Sequence, residues 1–132
     1  MIMKLKAVSA FIKNDKNQIL LLKRSNSVKS YRGYWQFPEG KPKVKESTSA
    51  TLKREIEEEL GFKPKVFKNL GSYSYKHYFL FFPIFDIERI IFSVEIPTKI
   101  VLSHEHTDYA WVKLNQLKNY HLLPGLNNII EE

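Results

Sequence analysis

No cysteine occurs among the 132 residues. That excludes disulfides, zinc–thiolate sites and thiol chemistry, and it fits a reducing, cytoplasmic setting. No apolar run is long enough to span a bilayer. The opening stretch MIMKLKAVSAFIKND is broken by Lys13 and Asp15 and lacks the small-residue cleavage site of a signal peptide. A membrane partner is therefore not expected. Internal repeats, low-complexity tracts and linkers are missing too, so one domain over residues 1–132 is expected. Acidic residues are in short supply, 14 against 21 lysines and arginines, for a net charge of +7. What is present is material for a core: 43% hydrophobic residues, among them nine Phe, seven Tyr and two Trp.

The few acids are unevenly placed. Residues 1–45 hold eleven Lys or Arg and two acids, whereas residues 46–59 hold five acids and two bases. A basic body with one acidic strip suits an anionic ligand held through a cation bridge. Equally, the lysines can be plain solubilising charge.

Residues 3–13 mix alternation with β-branched and aromatic side chains and read as a strand. The cluster Asn14-Asp15-Lys16-Asn17 is a turn, and Ile19 to Lys23 form a second strand, which together predict a hairpin. Residues 24–34 are a basic loop. Trp35-Gln36-Phe37-Pro38 is a short extended piece, because Pro38 bars a long central strand. A helix is predicted from an N-cap at Ser47 to Leu60, stopped by Gly61. Three strands are expected over 65–76, 78–86 and 88–96, a further one over 107–113, and short helices over 114–119 and 126–131. Strands flanking a central helix indicate an α/β or α+β sandwich.

On the predicted helix, Leu52, Ile56 and Leu60 form an apolar stripe, and Glu55, Glu58 and Glu59 share the adjacent face. Glu58 is i,i+3 and Glu59 is i,i+4 from Glu55, so all three carboxylates can reach one point. Arg54, i,i+4 from Glu58, can brace it, and Glu57 points elsewhere. Like charges so spaced repel, by roughly 0.2–0.5 kcal/mol per pair. Converging carboxylates suit a hard cation such as Mg²⁺ or Mn²⁺. An ordinary solvated acidic face remains the other reading at this point.

The spacing upstream resembles the Nudix hydrolase family. Its box is a glycine, five residues, a glutamate, seven residues, then Arg-Glu-apolar-any-Glu-Glu-any-Gly-apolar. Here Gly40, Glu46 and Arg54-Glu55-Ile56-Glu57-Glu58-Glu59-Leu60-Gly61-Phe62 match every specified position. The strand ILLLKR, the segment WQFPEG and HEHTDYAWVKL also sit where such enzymes carry similar segments. The resemblance implies an α/β/α sandwich with a mixed sheet, its box forming a loop–helix–loop. It implies Mg²⁺- or Mn²⁺-dependent hydrolysis of a nucleoside diphosphate linked to another group. Glu58 and Glu59 would be the core metal ligands. Glu55 would be a ligand or the group that deprotonates the attacking water. The backbone carbonyl of Glu39 would be a further ligand. Gly40, Glu46, Arg54 and Gly61 would be structural. Many members carry a second glycine where this chain has Glu39, which is a departure.

Outside the box, Glu105 is expected to join the site as ligand or general base from the facing loop. His104 and His106, lacking a third ligand, read as loop polar residues rather than a transition-metal site. Lys23, Arg24, Arg32 and Lys41 are candidates for phosphate contact, and Tyr78 for stacking on a base. Trp35 and Trp111 are expected to pack structurally. The expected activity is cleavage of a pyrophosphate bond in a dinucleoside polyphosphate or nucleoside triphosphate. The segment WQFP resembles that of dinucleoside polyphosphate hydrolases and RNA pyrophosphohydrolases, so trimming of an RNA 5′ end is the alternative. A reading of another class is an inactive nucleotide- or RNA-binding module. Either oligomeric state, monomer or homodimer, is compatible with the sequence.

Overall fold

The computed structural model describes residues 2–79, 82–123 and 126, with side chains 67, 77–79 and 82–84 outside the description. The strands are β1 (Met3–Phe11), β2 (Gln18–Arg24), β3 (Trp35–Gln36), β4 (Glu39–Gly40), β5 (Val66–Phe79), β6 (Phe82–Val94) and β7 (His106–Lys113). One α-helix, α1 (Thr48–Leu60), follows β4, and a 3₁₀ turn (Leu114–Asn119) follows β7. Helix 126–131 of the sequence reading lies, apart from Leu126, outside the described residues.

The strands form two sheets, ordered β4-β1-β6-β5 and β3-β2-β7. The first is mixed: β1 runs parallel to β6 and antiparallel to β4. The expected β1–β2 hairpin exists only at its turn. The Asn14 amide donates to Gln18 O and the Leu20 amide to Ile12 O, after which the strands part into different sheets. The reason lies in residues 35–40. Trp35 and Gln36 pair with β2, while Glu39 and Gly40 pair with Ser9 and Val8 of β1. Pro38, which has no N–H to offer a ladder, stands between the two pairings, and its carbonyl accepts from the Ala10 amide. This short segment occupies the inner edges that a longer hairpin would have closed.

Among the described residues, two strands, Val66–Phe79 and Phe82–Val94, stand where three were expected. The breaks expected near residues 77 and 87 are absorbed. A register shift falls at His77–Tyr78, and Asp86 to Glu88 stay extended because β6 is paired on both sides. Ladder bonds from β1 and β5 outweigh the local polar residues.

Strand β2 explains its own continuous apolar run. Ile19 and Leu21 enter one core with Phe37, Val112 and Leu117. Leu20 and Leu22 enter another with Val8, Leu52, Ile56 and Leu60. A strand covered on both faces has no polar face to alternate with.

Helix α1 starts and stops where its sequence directs. The Ser47 hydroxyl accepts from the Ala50 amide, and Gly61 sits at φ 78° with its N–H on Glu57 O. A Cβ at Gly61 would approach Val101 Cβ to 3.0 Å, so both backbone and space demand glycine. Leu52, Ile56 and Leu60 are fully buried. Ile56→Ala is expected to cost about 2–5 kcal/mol, seen as a lower urea midpoint at unchanged slope. A loss below about 1 kcal/mol would mean that α1 does not seal this core.

Candidate active site

The pairing of β4 with β1 sets Glu39 and Gly40 against the side of α1. The loop between them is held by one ion pair. Arg54 presents its guanidinium edge-on to Glu46: Nε donates to Oε2 at 2.9 Å and Nη2 to Oε1 at 2.9 Å. Arg54 also donates to the Lys41 carbonyl (3.1 Å) and to Glu55 Oε1 (2.6 Å), with Glu58 at 3.8 Å. Glu46 accepts besides from the Lys43 amide and the Thr51 hydroxyl. Arg54, then those two donors, hold the Glu46 carboxyl well below the usual carboxylate range. Charge-assisted bidentate pairs of this kind fix geometry as well as energy.

Beyond the brace, the acids are graded in depth. Glu58 has a side chain 59% exposed, Glu55 18%, and Glu59 is 5% exposed overall. Glu59 Oε1 accepts from the Glu39 amide at 3.0 Å. Burial, then the charge of Glu55, push the Glu59 carboxyl well above its ordinary value, opposed by that amide. Glu55 is also raised, by burial first, with Arg54 opposing and Glu58 and Glu105 adding to the rise. Clustered, partly desolvated carboxylates with raised affinity for protons are a site for positive charge.

Gly40 is required by contact. A Cβ there would lie 2.0 Å from Glu55 Cγ and 2.6 Å from its Oε1. Glu55 therefore lies flat across the Gly40 backbone.

Glu55, Glu58 and Glu59 line a cavity of about 390 Å³ with Glu39, Gly40 and, from the facing loop, Glu105. Its remaining wall is basic and polar: Arg24, Lys41, Lys43, Arg54, Gln36 and His106. The donors on the acidic side are all oxygen, the chemistry that Mg²⁺ and Mn²⁺ take. They are not drawn together as a finished cluster, since among the described residues no three acids or histidines group closely enough to hold an ion. Glu55 is bonded to Arg54 instead. The donor set thus fits a hard cation, with Glu55 free to choose between the cation and Arg54.

The other sequence candidates divide. Glu105 reaches the cavity; its carbonyl accepts from the Ser25 amide, which ties the loop before β7 to the end of β2. Arg24 and Lys41 line both this cavity and a neighbouring one of about 290 Å³. Arg24 is fixed by Gln36 Oε1 at 2.6 Å and the Ser30 carbonyl. Lys23 and Arg32 line neither cavity. The Lys23 ammonium sits 6.0 Å from the Trp35 ring, and Arg32 bonds the Val28 carbonyl of its own loop. The Tyr78 side chain lies outside the described residues. Trp35 and Trp111 pack against the two cores.

Two cavity residues, Gln36 and Lys43, escaped the sequence reading, and a third, His106, expected as a loop polar residue, instead begins β7 as a buried side chain and lines the cavity. His106 is 5% exposed, with no hydrogen-bond partner on either ring nitrogen, and burial with the Arg24 charge lowers its pKa to about 4.

The guanidinium fork can be tested directly. In Arg54→Lys the second prong is lost. The Lys43 amide, donated to Glu46, should then exchange with solvent at least about tenfold faster, while amides in the centre of α1 hold their rate. Equal protection of Lys43 in both proteins would show that the loop does not rely on the fork.

Comparison with known proteins identifies the family. The NUDIX domain model matches residues 3–132. An 8-oxo-dGTP diphosphatase of Buchnera aphidicola is 30% identical over 119 residues, spanning 89% of this chain and 84% of that protein. An ADP-ribose pyrophosphatase of Methanocaldococcus jannaschii is 41% identical over 68 residues, which is 52% of this chain but only 38% of that protein's length. Among solved structures, a MutT protein from Methanosarcina mazei superposes with a TM-score of 0.85 at 27% identity, covering 98% of this chain and 92% of that one. With Gly40, Arg54, Glu55, Glu58 and Glu59 of the box lining one cavity and the family model matched from residue 3 to 132, this chain belongs to the NUDIX family of pyrophosphohydrolases.

Proposed function

We propose that this protein hydrolyses a pyrophosphate bond in a nucleoside triphosphate or dinucleoside polyphosphate, with the acidic cavity as its active site. The observation that carries the reading is the junction of two unlike surfaces. Graded carboxylates on α1 face basic side chains on β2 and on the loop after β4, across a single cavity. The relative matched over most of its own length is named for a nucleoside triphosphate substrate, which supports the first of the two classes.

Glu58, Glu59, Glu55, Glu105 and the Glu39 carbonyl would hold the divalent cation. When bound, it supplies neutralisation of the pyrophosphate charge and acidity to a water. The chain's own residues do the rest. Arg24, Lys41 and Lys43 stand where they can pair with the outer phosphate oxygens, which keeps the anhydride beside the acids. The attacking water forms a new P–O bond, the anhydride P–O bond breaks, and the leaving phosphate keeps that oxygen. A carboxylate at Glu55 or Glu105 takes the water's proton. Burial raises Glu55's proton affinity, which suits it to this role. The neighbouring cavity, walled by Tyr75, Phe85 and Ile87 beside Arg24 and Lys41, is the natural place for the base-bearing end.

A second reading, removal of pyrophosphate from an RNA 5′ end, draws on the basic residues 1–45. A panel of nucleoside triphosphates, dinucleoside polyphosphates, ADP-ribose and 5′-triphosphate RNA, assayed with Mg²⁺ and resolved by chromatography, separates the readings. Turnover of the RNA alone would replace the proposal, and turnover of none would sink it. Chelation with EDTA should abolish activity and added Mg²⁺ should restore it. Glu55→Gln and Glu59→Gln should each lower kcat by about 10²–10⁴-fold with the fold intact by circular dichroism. Glu57→Gln, on an exposed position away from the cavity, should stay within about twofold.

A further inference from the structure

We propose that Arg89 is a positioning residue for this site: through Glu39 it holds the peptide that carries one end of the cation-binding set. The inference rests on the proposed reading of Glu59 and the Glu39 carbonyl as cation ligands.

Arg89 lies in the middle of β6, opposite Ala7 of β1, and is 3% exposed. Small neighbours, Ala7 and Ser9, leave room for its side chain. Its Nη1 donates to Glu39 Oε1 at 2.5 Å and to Ser9 Oγ at 2.9 Å, and its Nη2 donates to the Tyr75 hydroxyl at 3.2 Å. Its Nε is buried without a hydrogen-bond partner. A charge placed there only for stability would be a poor choice, because well-packed apolar residues in place of a buried ion pair are often neutral or better. What the pair supplies is a fixed direction.

That direction leads to the active site. Glu39 is the residue just before Gly40, at the position where the family resemblance leads one to expect glycine. A glycine there would give Arg89 nothing to grip. The Glu39 carboxylate goes to Arg89, while its amide donates to Glu59 Oε1. The links Tyr75–Arg89–Glu39–Glu59 are therefore continuous hydrogen bonds between the aromatic wall of the smaller cavity and the deepest acid of the larger one. One guanidinium fixes both the peptide beside the carboxylates and the ring that faces the base-bearing end. Glu39 and Arg89 thus form one pair across the fold.

The test uses the full chain in two variants: R89K, which keeps the charge but loses the fork, and E39Q/R89M, which removes both charges and leaves no unpaired ion. Mn²⁺ binding without substrate is read by water-proton relaxation, and kcat and KM are measured at saturating Mg²⁺. Loss of a residue that orients ligands costs on the order of 10–100-fold in metal affinity or activity. We expect Mn²⁺ to bind at least tenfold more weakly in both variants, with kcat lowered and KM for the nucleotide moved by less than threefold. E39Q and R89K should also be non-additive when combined. A folded variant that binds Mn²⁺ less than tenfold more weakly overturns the inference, whatever its kcat. So does the failure of both variants to fold, which would make the pair a core element. Wild-type protein that binds no Mn²⁺ sinks the cation reading itself, and this inference with it.

Discussion

Everything at the site depends on six residues that serve two sheets. Residues 35–40 pair first with β2 and then with β1, with Pro38 at the changeover. Because β-pairing is directional and spaced, this leaves little freedom for Glu39 and Gly40. They must sit against α1, where the Glu39 amide meets Glu59 and the bare Gly40 backbone receives Glu55. The candidate active site is thus built at the point where a hairpin is prised open. Its acids come from a helix, its basic wall from β2 and the loop after β4, and Glu105 from the loop tied to the end of β2.

Charge then determines what this scaffold is for. A protein of net charge +7 concentrates repelling carboxylates on one helix face and allows burial to raise two of them. Such a face costs stability by itself. The bidentate Glu46–Arg54 pair limits the damage by locking the loop and neutralising part of the cluster, and in doing so it draws Glu55 aside. Glu55 is therefore held by the guanidinium and, in the proposed reading, would also serve a cation. The strip trades fold stability for function, as active sites commonly do.

The sequence made the helix readable almost to the residue, because its cap, stop and apolar stripe are all local signals. The box spacing named the family for a similar reason: every matched position lies within one loop and one helix. What escaped was non-local. The β1–β2 hairpin was overestimated because nothing in residues 3–23 announces that residues 35–40 will take the inner edges. The strands over 66–94 were cut too often because local polar residues were weighed without their ladder partners. Arg89 was readable in principle: in DIERIIF it shares the strand face of Ile87 and Ile91, and a charge on that face asks for a partner. Its partner, Glu39, lies fifty residues upstream, and only the fold brings them together. Lys23 and Arg32 fall outside both cavities because strand β2 sets Lys23 beside the Trp35 ring and Arg32 bonds back onto its own loop, neither of which position along the chain reveals.

Strand β2 carries one more consequence. Its four central side chains alternate between the two cores, so neither core can loosen without stripping one face of a strand that the other still needs. Two sheets that part at their hairpin could have melted separately. Sharing β2 as a common wall binds them into a single cooperative unit. The open mouth where the acids gather can then stay open without giving the molecule a seam along which to unfold.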